Sequence, residues 1–119
     1  MEKFYKPNTI AILFNEKLNE SENLANKINF DISVDFEVFV QSVAVALNNN
    51  LPSNPDLLIS IGGDGTILRC AKVLNGTNCP ILGINMGNLG FLCEIESSDV
   101  DSKLQKYLSG EAVIETRNK

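Results

Sequence analysis

Residues 56–74 restrict the fold of this chain more than any other segment. The apolar run 56–61 has the composition of a strand buried on both faces, and residues 67–74 carry apolar side chains at helical spacing. Between the two runs lies Gly62-Gly63-Asp64-Gly65-Thr66. A buried strand joined to a helix by a glycine-rich turn is typical of parallel α/β domains that hold a phosphate at the helix amino terminus.

The rest of the chain alternates strand and helix patterns in the same way. Strands are predicted at residues 9–14, 32–40, 56–61 and 80–84, and helices at residues 19–28, 42–47, 67–74 and 100–108. This alternation predicts an α/β fold with an open, mostly parallel sheet and helices on both faces. We expect residues 1–110 to form this domain and residues 111–119 to begin a further strand.

Composition limits the partners and the chemistry. The chain has 119 residues, which is the size of one domain, and its formal net charge of -5 argues against nucleic acid or an anionic membrane as a partner. It has three cysteines without a C-x-x-C pair and no histidine, so we assign no metal-ligating residue and no Ser-His or Cys-His pair. Neither a signal-peptide core nor an apolar run of membrane length is present, which predicts a cytoplasmic protein with reduced thiols.

Asp64 is the most informative residue of the glycine-rich turn. We expect the glycines at 62, 63 and 65 to permit positive φ and to let backbone N–H groups approach a phosphate closely. A carboxylate there would repel that phosphate, so it needs another role: accepting a proton from an attacking hydroxyl, or holding a magnesium ion that bridges phosphates. Both roles indicate phosphoryl transfer. The structural alternative is an Asp-Gly turn in which Asp64 caps the helix.

Thr66 and Arg69, which follow the aspartate in the sequence, each have two interpretations. Thr66 either offers its hydroxyl to a phosphate or cation, or caps the helix. Arg69, one helical turn further on, either pairs with a substrate phosphate or is a solvated surface arginine. The turn lacks both the G-K-[ST] ending of a P-loop and the G-x-G-x-x-G spacing of a dinucleotide-binding turn, so a nucleotide would be bound in some other geometry.

A second glycine-containing segment follows the predicted strand 80–84. It reads Asn85-Met86-Gly87-Asn88-Leu89-Gly90-Phe91. We expect Gly87 and Gly90 to let this loop approach a flat ligand, with Asn85 and Asn88 offering amide groups. Phe91 either stacks on an adenine ring or fills the core.

The two motifs together resemble those of NAD kinases. G-G-D-G-T is shared by NAD kinases, diacylglycerol and sphingosine kinases and, more distantly, 6-phosphofructokinases. Residues 81–92, ILGINMGNLGFL, resemble the more specific NAD kinase pattern G-I-N-x-G-x-L-G-F-L, and the P-x-G-T-x-N-D pattern of the lipid kinases does not follow. The resemblance implies a phosphotransferase that moves the γ-phosphate of ATP to the 2′-hydroxyl of the adenosine ribose of NAD, giving NADP.

The resemblance also implies roles for particular residues and ligands. Asp64 is the proton acceptor for the attacking hydroxyl. The implied nucleotide contacts are Gly62, Gly63, Asp64, Gly65, Thr66, Arg69, Asn85 and Phe91. The implied ligands are NAD as substrate, ATP or inorganic polyphosphate as donor, and Mg²⁺ or another divalent cation. Small-molecule nucleotides are therefore the expected partners, and a homo-oligomer is expected for the full-length form.

NAD kinases also carry a β-rich carboxy-terminal domain with an Asn-Glu pair, which is not part of this sequence. Residues 111–119 resemble the start of the linker strand that leads to it. We therefore expect these 119 residues alone to be catalytically weak or inactive, because half of the site is missing. Two alternatives stay open: a lipid or sugar kinase with a G-G-D-G-T loop, and a nucleotide-binding domain without chemistry.

Overall fold

The computed structural model describes residues 7–87 and 90–110, which form a five-stranded sheet with helices on both faces. The strands are β1 (Thr9–Phe14), β2 (Glu37–Ser42), β3 (Leu57–Gly62), β4 (Ile81–Asn85) and β5 (Ile95–Glu96). They are all parallel, in the order β2-β1-β3-β4-β5. The helices are α1 (Ser21–Ile32), α2 (Val43–Asn48), α3 (Asp64–Leu74) and α4 (Val100–Leu108), the last preceded by a 3₁₀ turn at Ser97–Asp99.

The helices divide between the two faces of the sheet. Helices α1 and α4 cover one face, where Ile28 and Leu108 belong to the same buried cluster as Ile12 of β1. Helices α2 and α3 cover the other face, where Val43 and Cys70 pack into a second cluster. The predicted α/β fold is therefore confirmed, including the helices on both faces.

Strand β3 is the centre of the sheet, and each of its residues is buried. Such a strand has no solvent-facing side, so its sequence, Leu-Leu-Ile-Ser-Ile-Gly, is almost continuously apolar instead of alternating. Strand β1 is likewise flanked on both sides and spans the predicted residues 9–14. The continuous apolar runs thus identified both of these inner strands.

The second strand was predicted at the wrong residues, and the two-residue strand β5 was not predicted at all. The alternating pattern predicted residues 32–40, but the strand is Glu37–Ser42 and Ile32 is the last residue of α1. Ile32 lies four residues after Ile28, and both are buried against the sheet. The helix therefore continues past 28, because this position adds one more apolar contact on the same face.

The remaining boundaries differ from prediction by a few residues. Helix α3 begins at Asp64 rather than at residue 67, because extended Gly63 already occupies the position before the helix. Helix α4 covers the predicted residues 100–108, although none of the three expected capping side chains, at 97–99, caps it. The strand predicted within 111–119 lies outside the described residues. No helix in the described segments is long and apolar enough to span a membrane.

The thiols of Cys70 and Cys79 are buried. Burial raises the pKa of Cys70 to about 12. Burial, with the nearby Asp56 carboxylate, raises the pKa of Cys79 to about 12 as well. Both groups are therefore protonated thiols at neutral pH, which makes them poor nucleophiles and metal ligands.

Two leucine-to-alanine variants should separate burial from side-chain identity. Leu58 in β3 is 0% exposed, whereas Leu68 on the outer side of α3 is 61% exposed. We expect Leu58→Ala to lower the free energy of unfolding by about 2–5 kcal/mol, because it removes core contacts and leaves a cavity. The matched variant Leu68→Ala should change it by less than about 0.5 kcal/mol. Urea denaturation measures both, and equal losses would contradict the described packing.

Candidate functional site

The carboxyl ends of the three inner strands meet at one edge of the sheet. The register pairs Phe14 with Ile61 and Gly62 with Asn85, so the segments that follow β1, β3 and β4 lie side by side. Strand β2, which follows β1 in the chain, pairs with one edge of β1, and the next strand, β3, pairs with its other edge. The strand order therefore reverses at β1. In open parallel sheets, ligands bind in the crevice outside the strand ends at such a reversal of strand order.

A cleft of about 480 Å³ lies at this reversal. Its walls include six residues predicted from the sequence: Gly63, Asp64, Gly65, Thr66, Arg69 and Asn85. Four lining residues were missed by the sequence analysis, namely Asn15, Lys17, Leu18 and Met86. The first three follow β1, and only the strand order, which places β1 beside β3, could have pointed to them.

A second, larger cleft of about 600 Å³ lies near the opposite edge of the sheet, where β3 and β4 begin. It is lined by residues around Asn50 and Asn78, and none of the predicted site residues lines it. Because parallel α/β sheets bind ligands at the carboxyl ends of their strands, we assign the candidate site to the smaller cleft.

The carboxylate of Asp64 joins the two sequence motifs. The backbone N–H of Phe91 donates to its two oxygens at 3.1 and 3.0 Å, and the N–H of Leu92 donates to Oδ1 at 2.9 Å. An ionised carboxylate only accepts hydrogen bonds, so it suits a pair of converging N–H donors. This contact holds the first turn of α3 against the segment that contains Phe91 and Leu92, and Asp64 itself lines the cleft.

Gly90 permits this contact by having no side chain. A Cβ atom at this position would lie 3.0 Å from Asp64 Oδ1 and 3.3 Å from Asn85 Oδ1, which is too close for an unstrained neighbour. Gly87 serves a different purpose, since its φ of +93° is a conformation that other residues rarely adopt. Asn88 and Leu89 lie outside the described residues.

The three glycines of the first motif do not adopt the positive φ that the sequence predicted. Positive φ among the described glycines occurs at residues 76, 87 and 110 instead. A Cβ at Gly62 would lie 2.2 Å from Thr66 Oγ1, so this glycine lets the helix start close to the strand. Gly63 is extended, and a Cβ at Gly65 would meet nothing within 4 Å. The absence of side chains at these two positions keeps the cleft open above the helix amino terminus.

Thr66 is a buried structural residue of this turn, 3% exposed. Its hydroxyl accepts the N–H of Gly63 at 3.4 Å and the side-chain amide of Asn15 at the same distance. Of the two interpretations of Thr66, the structure supports capping of the helix. The same hydroxyl ties the loop after β1 to the glycine-rich turn.

Arg69 is half-buried and has a partner within the chain. Its guanidinium lies 3.6 Å from Oε2 of Glu16, and Oε1 of Glu16 accepts the backbone N–H of Ala44 at 3.3 Å. Slight burial tends to raise the pKa of Glu16, but hydrogen bonds from its own N–H and that of Ala44, with the charge of Arg69, outweigh it and lower this pKa. Arg69 is therefore not the solvated surface arginine that was one of its two interpretations.

The two remaining predicted residues have opposite environments. Asn85 is 2% exposed and its amide donates to the carboxylate of Glu96 at 3.1 and 3.4 Å, which links β4 to β5. Phe91 is 85% exposed, so the interpretation that it fills the core is wrong. Its backbone binds Asp64, and its ring stands free of the core beside the second loop.

Fold and site together define an open, parallel α/β domain whose ligand cleft lies between a glycine-rich helix start and the loop after the first strand. Comparison with known proteins makes the class specific. Residues 2–112 match the model of the ATP-NAD kinase N-terminal domain. The chain belongs to this family.

Individual proteins with similar sequences are NAD kinases as well. The chain is 45% identical over 84 residues to an NAD kinase of Clostridium tetani, covering 71% of this chain and 31% of the relative. It is 40% identical over 116 residues to an NAD kinase of Clostridium botulinum, covering 97% of this chain and 36% of the relative. The chain thus spans about a third of the length of the curated relatives that it matches.

A solved structure has the same fold. The crystal structure of yeast NADH kinase complexed with NADH superposes with a TM-score of 0.58 at 20% sequence identity, covering 92% of this chain and 40% of that one. At this identity the likeness concerns the fold alone.

Alanine at two glycines of the first motif should affect stability differently. We expect Gly62→Ala to lower the free energy of unfolding by about 1–3 kcal/mol, because the new methyl group collides with Thr66. Gly65→Ala should leave stability unchanged or raise it by up to about 1 kcal/mol, since the helix gains alanine and the space is open. Urea denaturation of both variants provides the measurement. A stabilising Gly62→Ala would contradict the described turn.

The Glu16 contact should appear as a pH-dependent contribution to stability. Because folding lowers the pKa of Glu16 from 4.5, its contribution is present above about pH 4.5 and is lost as pH falls through the folded value. We expect Glu16→Gln to lower the melting temperature slightly at pH 7, with the difference from the parent shrinking below pH 4.5. If the difference in melting temperature between the parent and Glu16→Gln grew as the pH falls, folding would raise the pKa of Glu16 instead of lowering it.

Proposed function

We propose that this chain is the domain of an NAD kinase that carries the proton-accepting aspartate. In the proposed reaction, the 2′-hydroxyl of the adenosine ribose of NAD attacks the γ-phosphate of ATP to give NADP and ADP. The single observation that carries the proposal is the position of Asp64. Its carboxylate is held between the two motif loops at the wall of a cleft at the strand ends.

In this reaction Asp64 accepts the proton of the attacking hydroxyl. As the oxygen–phosphorus bond forms, the bond from the γ-phosphorus to the bridging oxygen breaks, and ADP leaves with the electron pair. The two N–H donors from Phe91 and Leu92 orient the carboxylate before the substrate arrives. Positioning of this kind is a large part of catalysis in phosphoryl transfer, since the protein contributes little covalent chemistry.

A divalent cation would bind together with the phosphates of the donor. No group of three acidic, histidine or cysteine side chains that could hold a metal occurs in the described segments. Asp64 is the one carboxylate among the described lining residues of the cleft. This fits a divalent cation that would be held mainly by the phosphates of the donor, whose charge it would neutralise, and it leaves the Asp64 carboxylate to accept the proton.

The other predicted contacts divide by what they offer a nucleotide. Gly63 and Gly65 leave room at the amino terminus of α3, where backbone N–H groups attract phosphate. The half-buried Arg69 provides a planar cation at the cleft, and the exposed ring of Phe91 is available to stack on adenine. Gly62, Thr66 and Asn85 are better explained as residues that shape the site than as direct ligands, because their contacts are internal.

The family match over residues 2–112 supports an NAD acceptor over the lipid- and sugar-kinase alternatives. We further propose that residues 1–119 alone turn over weakly, because the relatives are about three times as long. Polyphosphate in place of ATP, a homo-oligomer of the full-length form and a cytoplasmic location stay predictions.

Replacing the proposed proton acceptor should abolish most of the activity. In the longest natural form of the protein, we expect Asp64→Asn to lower kcat for NADP formation by about 10²- to 10⁴-fold, the range typical of general base catalysis. The KM for NAD should change far less, because Asn keeps a side-chain oxygen that accepts hydrogen bonds from the N–H groups of Phe91 and Leu92. Asp35→Asn, an exposed residue between α1 and β2, is the control and should retain full activity. Undiminished turnover by Asp64→Asn would rule out its role as base.

A further inference from the structure

We propose that the loop after β1, residues 15–18, binds the phosphate chain of the phosphoryl donor, with Lys17 as the cation that pairs with it. This inference rests on the proposed function and adds a binding residue from outside both sequence motifs. The loop forms one wall of the cleft, where Asn15, Lys17 and Leu18 line the same space as Asp64.

The loop is held in place by hydrogen bonds to the glycine-rich side of the cleft. The N–H of Asn15 donates to the carbonyl of Ile61 at 3.0 Å, and its side-chain amide donates to Thr66. Its side-chain oxygen accepts the N–H of Lys17 at 3.0 Å, which fixes the backbone of the lysine. The hydroxyl of Ser21 then closes the loop by donating to the carbonyl of Asn15 at 2.6 Å. A phosphate would therefore meet a wall that is already ordered.

The charge of Lys17 is available to a ligand. Within the described segments no carboxylate lies within 4 Å of its ammonium, whereas Lys27 and Lys103 are paired with aspartates and Arg69 with Glu16. In a chain of net charge -5, an exposed lysine at a cleft that also contains a helix amino terminus is a local site for anions. Lysine suits a phosphate as a mobile point charge.

The geometry assigns Lys17 to the donor and not to NAD. Asp64 must contact the acceptor hydroxyl, and it is bonded on one side to the loop that carries Phe91. In phosphoryl transfer the attacking and leaving oxygens lie on opposite sides of the phosphorus. The loop after β1 and the loop that carries Phe91 follow strands on opposite sides of β3. The remaining phosphates of the donor therefore extend away from the acceptor, toward the β1 loop. The volume of about 480 Å³ is within the usual range for small-ligand sites.

Steady-state kinetics on the longest natural form test the assignment. We expect Lys17→Met to raise the KM for ATP at least tenfold, the loss typical of one charge-assisted hydrogen bond, and to change the KM for NAD less than twofold. Lys17→Arg should restore most of the affinity for ATP. Lys72→Met, which removes an exposed lysine from the last turn of α3, is the matched control and should leave both constants unchanged. A raised KM for NAD with an unchanged KM for ATP would overturn the proposal.

Calorimetric titration with inorganic tripolyphosphate separates this inference from the proposed function. Binding by the parent that weakens at least tenfold in Lys17→Met, but not in Lys72→Met, supports the phosphate site even if the protein makes no NADP. Equal binding by the parent and Lys17→Met, or no binding by the parent, would overturn the site even if NADP is made.

Discussion

Two backbone N–H groups that converge on the carboxylate of Asp64 hold the candidate site together. They come from Phe91 and Leu92, in a loop that follows a different strand, and they reach the carboxylate because Gly90 has no side chain. The contact brings the only acidic side chain among the described cleft residues to a defined position. Such fixation suits the role that we propose for Asp64, because the orientation of a proton acceptor then does not have to be established during the reaction.

The glycines around this contact serve several distinct purposes. Gly62 and Gly90 permit close approach of neighbouring atoms, Gly87 permits a positive φ, and Gly65 leaves the cleft open. Thr66 complements Gly62 by filling the space that the missing Cβ leaves. The glycines of the two motifs therefore satisfy separate constraints of packing, backbone conformation and ligand access, and in the first motif none of them is needed for a positive φ.

Much of the site could be predicted because its residues follow strands directly. The register of β3 and β4 brings Gly62 beside Asn85, and both motifs were visible as glycine-rich segments after apolar runs. Lys17 and Glu16 could not be predicted in the same way. Nothing local marks the loop after β1, and the partner of Arg69 depends on which strand lies next to β3. The exposure of Phe91 was also undecided, since an aromatic residue after a glycine suits a core and a ligand wall equally.

The sequence by itself determined the order of the first four strands and of the helices, the continuous burial of β1 and β3, and the position of the aspartate in a glycine-rich turn. These properties depend on local patterns, because apolar runs and glycines act within a few residues. Only the tertiary structure decided that β1 lies between β2 and β3, that the loop after β1 lines the same cleft as Asp64, and that two distant N–H groups bind its carboxylate. Strand order depends on how helices pack on the two faces of the sheet, and that packing involves residues far apart in the chain.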